Sequence, residues 1–209
     1  MRIEPDRIPE PEAQPSPLSD RDTEVVQMIE EEGLSVFTFD GLRRITGVHP
    51  ETLSRALERL EEKGMVVRSP EGYSTTDKAK KMVVLRPAYA SGRKVPILHT
   101  FLPYGASMRT IVSALKGRWF DRMRWVGMAD GDEGVVMKWI TDDGSALIDA
   151  RFWDGQLDVE ARVKNEGDLP KAVRAAHQII GRISKLYSSP RPGSRHMLMQ
   201  IGYFVPYAM

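Results

Sequence analysis

Six side chains between His49 and Arg59 share one kind of chemistry. Arg55 and Arg59 carry planar guanidinium forks that can grip guanine, Glu51 can accept from cytosine, and Thr52 and Ser54 can serve either base. His49 stands at the head of the group. The intervening residues place them on one surface. At 100° per residue, Leu53, Leu57 and Leu60 share one helical stripe, with Ala56 beside it. Glu51, Arg55, Glu58, Arg59 and Glu62 point away from that stripe, and Thr52 and Ser54 flank it. Pro50 suits the first turn of such a helix, where its missing N–H goes unused, and Gly64 stops it.

The elements that would position this helix can be read on either side. Ser19 or Asp20 caps a first helix whose apolar face is Val25, Val26 and Ile29, and Gly33 ends it. Leu34, Val36 and Phe37 form a short strand. Thr38 caps a second helix that buries Phe39, Leu42 and Ile45 and carries Arg43 and Arg44 on its polar side. Thr46-Gly47 is a tight turn into the third helix. Met65 to Val67 and Tyr73 to Thr75 make a hairpin around Ser69-Pro70-Glu71-Gly72, with Arg68 at its shoulder. Thr76 or Asp77 then caps a further short helix through Met82.

The run TGVHPETLSRALERLEEKGMVVRS, followed by GYSTTDKAK, resembles the winged-helix domain of prokaryotic transcription regulators of the MarR and ArsR type. The resemblance covers about a third of the chain. It implies a winged helix-turn-helix over residues 19–82 that binds double-stranded DNA through the third helix and the hairpin. The residues it points to are His49, Glu51, Thr52, Ser54, Arg55, Arg59, Arg68 and Tyr73, with Arg43 and Arg44 behind them. A helix-turn-helix generally reads two half-sites, so a homodimer is expected.

Charge is distributed unevenly. The chain has 209 residues with 30 Lys and Arg against 29 Asp and Glu. Residues 19–82 carry 10 basic and 13 acidic groups, so the DNA reader is not basic overall. Residues 83–94 have 3 basic groups and no acid, and residues 169–209 have 6 and none. Partners must therefore be argued face by face. Residues 1–18 hold five prolines at near-alternate spacing and read as a disordered arm. Residues 83–94, with Pro87, Ser91 and Gly92, read as a linker.

From Lys94 the apolar period becomes two. The expected order is a strand from Val95 to Leu102, placed at an edge by Pro96, and a helix from Ala106 to Lys116. Four antiparallel strands and a long helix from Asp168 to about Tyr187 follow. Asp154-Gly155 is the clearest hairpin turn. The predicted fold class is α+β: a winged helix-turn-helix followed by a β-α-β4-α antiparallel sheet domain over residues 95–187. That topology resembles one repeat of the TATA-box-binding-protein fold and the related helix-grip folds. It implies that the long helix lies across one sheet face through Leu169, Val173, Ala176, Ile180 and Ile183. Trp119, Met123, Trp125, Val135, Met137, Trp139, Ile148, Ala150 and Phe152 would face inward, and Trp119, Trp125, Trp139 and Phe152 would line any ligand cavity between helix and sheet. The opposite face would carry Phe120, Arg122, Arg124, Lys138, Arg151, Trp153 and Arg162 among Asp149, Asp158 and Glu160. Lys171, Arg174, Arg182 and Lys185 give the long helix an auxiliary basic side. Residues 188–209 are a tail with a terminal strand that needs a partner within the chain or in a second copy.

Enzyme chemistry is not called for. The four histidines, His49, His99, His177 and His196, lack the spacing of a metal pair. There is no Gly-x-Ser-x-Gly and no Gly-rich phosphate loop before a helix. Zero cysteines exclude disulfides and thiolate metal sites and suit a cytoplasmic location. No apolar run is long enough for a membrane span. The expectation is a cytoplasmic, dimeric DNA-binding transcription regulator with no cofactor or metal, whose C-terminal part dimerises or senses a small-molecule effector. The alternatives are a module that contacts transcription machinery and a small-molecule-binding helix-grip protein.

Overall fold

A computed structural model describes residues 18–82, 94–131 and 134–188. The proline-rich arm up to Pro17, nearly all of the linker and the tail beyond Ser188, with its expected terminal strand, lie outside the described residues. The first part holds α1 (Asp20–Glu31), β1 (Val36–Phe37), α2 (Phe39–Thr46), α3 (Pro50–Glu62), β2 (Val66–Ser69), β3 (Gly72–Thr75) and α4 (Asp77–Met82). The second holds β4 (Lys94–Phe101), α5 (Met108–Leu115), β5 (Met123–Gly131), β6 (Gly134–Thr141), β7 (Ala146–Trp153), β8 (Gln156–Val163) and α6 (Leu169–Ser188). The protein is α+β, with its strands in one eight-stranded antiparallel sheet of order β2-β3-β1-β5-β6-β7-β8-β4.

That order carries the sheet across the boundary expected between residues 82 and 95. The two-residue strand β1 pairs with β3 on one side and β5 on the other, with Phe37 opposite both Tyr73 and Gly127. Gly127 is required there, because a side-chain carbon would overlap the Val36 carbonyl oxygen. Gly41 lets α2 sit directly on β5, since a Cβ at that position would meet Val126 backbone. Thr38 supports the same seam. Its hydroxyl accepts from the Gly41 N–H at 3.0 Å as the α2 cap, and its own N–H donates to the Val126 carbonyl at 2.8 Å.

The sheet has two unlike faces. On the inner face, α5 and α6 cover an apolar core built around Trp139, Phe152, Met123, Met137, Ile148, Ile111 and Leu115. Phe120 and Trp125 meet Trp139 edge-on, at 5.4 and 5.3 Å between ring centres. The Trp139 indole N–H donates to the Arg118 carbonyl at 2.8 Å, which satisfies its buried polar atom. On the outer face, α1, α2 and α3 form a second core that takes in Val126, Ile140 and Leu147 from the sheet.

Several expected placements change. Trp119 lies before β5, 65% exposed, with the Arg124 guanidinium 3.9 Å above its ring, so it neither faces the core nor lines a cavity. Phe120, expected on the outer face, is buried against Trp139 because Phe120 and Met123 close a tight bridge that turns the ring inward. The α6 stripe is Ala172, Ala175, Ala176, Ile179, Ile180 and Ile183. Leu169 and Val173 sit at its margin, because small alanines let the helix axis approach the sheet. A β-bulge between Trp125 and Gly127 shifts the phase of β5: Val126 turns to the outer core while Trp125 and Met128 stay inside.

Candidate nucleic-acid interface

α3 is held by its inner stripe. Leu53, Ala56, Leu57 and Leu60 are buried to within 1% of complete. His49 precedes the helix with Pro50 at its first position and makes no side-chain capping bond. His49, Glu51 and Arg55 are exposed, and Thr52 and Ser54 are half-buried on the flanks. Five of the predicted readers therefore sit together at one end of one helix. The β2–β3 hairpin brings Arg68 above the Tyr73 ring at 5.9 Å, and Tyr73 stacks on Phe37 at 5.7 Å.

The cations of this surface divide into two groups. Arg55 pairs with Glu51 at 2.6 Å across one helical turn, with both side chains about two-thirds exposed. Arg68 pairs with Glu61 at 3.0 Å and Arg43 with Asp40 at 3.5 Å, also in solvent. Exposed pairs of this kind are worth about 0.2–1 kcal/mol, so a phosphate or a guanine can displace them. Arg59 differs. Its guanidinium grips Asp22 of α1 with both carboxylate oxygens engaged, at 2.6 and 3.0 Å, and Asp22 is 1% exposed. The Arg59 hydrogen bonds outweigh burial and hold the Asp22 carboxyl below its ordinary range. The structure thus makes Arg59 a brace between α1 and α3. Arg44 is likewise committed, reaching Asp142 of the β6–β7 turn at 3.3 Å, where Arg124 also holds Asp142 at 3.0 Å.

The other predicted groups are dispersed. Trp139, Phe152 and Trp125 fill the inner core and enclose no site with Trp119. On α6, Lys171 is taken by Asp168 at 2.7 Å and Asp143 at 3.4 Å, and Arg174 by Asp121 at 3.3 Å. Arg182 and Lys185 stay exposed near the helix end. Loop carboxylates thus supply the acid that α6 lacks.

The largest departure concerns Lys138 and Arg162. Both were expected on the open sheet face opposite the long helix; Lys138 is buried and Arg162 largely covered where the end of α1 meets the sheet. Lys138 bonds Glu32 at 3.1 Å and Asp149 at 2.9 Å, and Arg162 reaches Glu32 through both terminal nitrogens, at 2.7 and 2.5 Å. The Arg162 Nε is buried with no hydrogen-bond partner among the described residues. Burial opposes ionisation of Glu32, but the Arg162 and Lys138 interactions outweigh it and keep the carboxyl below its usual range. Glu32 was missed as an organising residue. The signal was its position: three consecutive acids end α1, where the helix dipole disfavours negative charge, so a cation had to be found elsewhere.

Compared with family models, curated proteins and solved structures, the chain matches none. Among the described residues no group of acids and histidines could hold a metal, and no helix is long and apolar enough to cross a membrane.

Proposed function

We propose that this chain is a homodimeric, cytoplasmic DNA-binding transcription regulator whose helical unit acts as a winged helix-turn-helix. The observation that carries the reading is the outward N-terminal end of α3. There His49, Glu51, Thr52, Ser54 and Arg55 are presented together on a helix whose opposite stripe is fully buried. These residue types match base edges in a major groove. Arg68 and Tyr73 on the hairpin serve as the adjoining contact, and Arg59 braces the reading helix through Asp22. The exposed acids Glu58 and Glu62 occupy the far half of α3, which limits non-specific affinity and shifts the burden toward direct reading. The second part of the chain supplies dimerisation and a place to sense a small molecule.

Selection of bound sequences from a pool of random duplexes tests this reading. The expected result is an enriched sequence with two related half-sites about 10 base pairs apart. The reading fails if no sequence is enriched, binding to duplex DNA shows no salt dependence, and the protein sediments as a monomer.

A further inference from the structure

The outer sheet face is only partly covered by the helical unit. Beyond the end of α1 it opens into a cavity of about 490 Å³, a size that suits a small ligand. Glu30 to Gly33 form one wall, and β4, β8, β7 and β6 with Ala129 of β5 form the floor. Six carboxylates line it: Glu30, Glu31, Glu32, Asp149, Asp158 and Glu160. They face three cations, Lys94, Lys138 and Arg151, and one imidazole, His99.

The carboxylates are not equivalent. Glu32 and Asp149 are consumed by Lys138 and Arg162. Asp158 accepts from the Trp153 indole and faces His99. Glu160 has, among the described residues, a single long pair with Lys94, at 3.7 Å. Glu30, half-buried, is in no ion pair among the described residues, and burial pushes its carboxyl above the ordinary value against the pull of Lys80. The surplus negative charge therefore sits beside exposed apolar atoms of Ile97, Ala129 and Val136. His99, which lines the cavity, meets Phe101 edge-on at 5.9 Å, and the Trp153 indole holds Asp158 from outside the lining. These carboxylates do not converge as a metal ligand set.

We propose that this cavity binds an organic cation, an amine or quaternary ammonium on an apolar body. Its charge lies among Glu30, Asp158 and Glu160 and its body against Ala129 and Val136. Carboxylates supply the Coulomb attraction, and the apolar floor takes the body out of water. The wall belongs to α1 and the floor to the sheet, so an occupant touches both parts of the molecule. The role as an effector site rests on the regulator reading above. Binding itself is measured without DNA, so the two can fail separately.

Isothermal titration calorimetry on the full chain decides it, with benzyltrimethylammonium as the cationic probe and benzenesulfonate as an anion of similar body. The expected result is saturable one-to-one binding of the ammonium and none of the sulfonate. Glu30→Gln combined with Glu160→Gln should weaken the ammonium about tenfold or more while leaving the thermal midpoint within a few degrees. Ala129→Phe, which fills the cavity, should abolish binding. The proposal is overturned if the ammonium shows no saturation up to about 10 mM. It is equally overturned if the sulfonate binds as well, or if the Gln double variant binds like the parent.

Discussion

The two faces of the sheet solve the problem of burial differently. The inner face is apolar throughout and is closed by α5 and α6, with Trp139 completely buried at its centre. The outer face is divided. Val126, Ile140 and Leu147 receive the helical unit, Lys138 and Arg162 are neutralised by the end of α1, and the remainder lies open as a charged groove. The difference separates a face that is sealed from one that is left partly open. One face holds the sheet together. The other carries a second unit, fixes its orientation through ions, and keeps a space beside it.

The largest effect should come from the inner face. Trp139→Ala removes the ring that Phe120 and Trp125 pack on and should lower unfolding free energy by about 3–5 kcal/mol in denaturant titration. On the outer face, Glu32→Ala strands Lys138 and Arg162, and the cost should be about 3 kcal/mol, at the lower end for broken buried pairs because Asp149 remains to share them. If Glu32→Ala were neutral, the seam would be an ordinary surface and the comparison would collapse. Glu32→Met combined with Lys138→Met and Arg162→Met is the informative control, because apolar replacement of a whole buried ion group is frequently neutral or stabilising.

These residues also show what the sequence made legible. The helix at Pro50–Glu62 and the hairpin at Asp154-Gly155 were readable because a strict apolar period and a turn dipeptide are local signals. The alternation of β8 was equally clear. The bulge at Val126 was not, since one extra residue changes the phase without changing the residue types. Lys138 and Arg162 could be placed on the sheet face opposite the long helix, but not paired, because their partner Glu32 lies 106 and 130 residues away. Their burial depends on tertiary contact with α1, which no local pattern encodes. The same distance effect hid Asp22, which ties Arg59 of α3 to α1. Of the proposed interface, the α3 outer end was legible from angle alone, while the cavity required the seam.

Acid should separate the faces further. Glu32 and Asp22 both have carboxyls held below their ordinary values of 4.5 and 3.8 in the folded state. A lowered folded value means that the contribution is fully present above the ordinary value and is lost as pH falls through the folded one. Stability should therefore decline as pH drops below 4.5. In Glu32→Gln that decline should be shallower, as measured by thermal midpoints across the acid range. Asp22→Asn should have a smaller effect, about 1–3 kcal/mol, through the loss of the Arg59 charge-assisted bonds. The smallest effect on stability belongs to the α3 surface. Arg55→Ala should stay within about 0.5 kcal/mol of the parent, while duplex affinity should fall about tenfold if one base contact is lost.

The most direct measurement is amide NMR of the full chain during addition of mixed-sequence duplex DNA at low salt. The account predicts shifts concentrated at residues 49–59 and at the hairpin around Arg68 and Tyr73, reversed by added salt, with α6 undisturbed. Shifts centred on α6, or none at the outer end of α3, would contradict it.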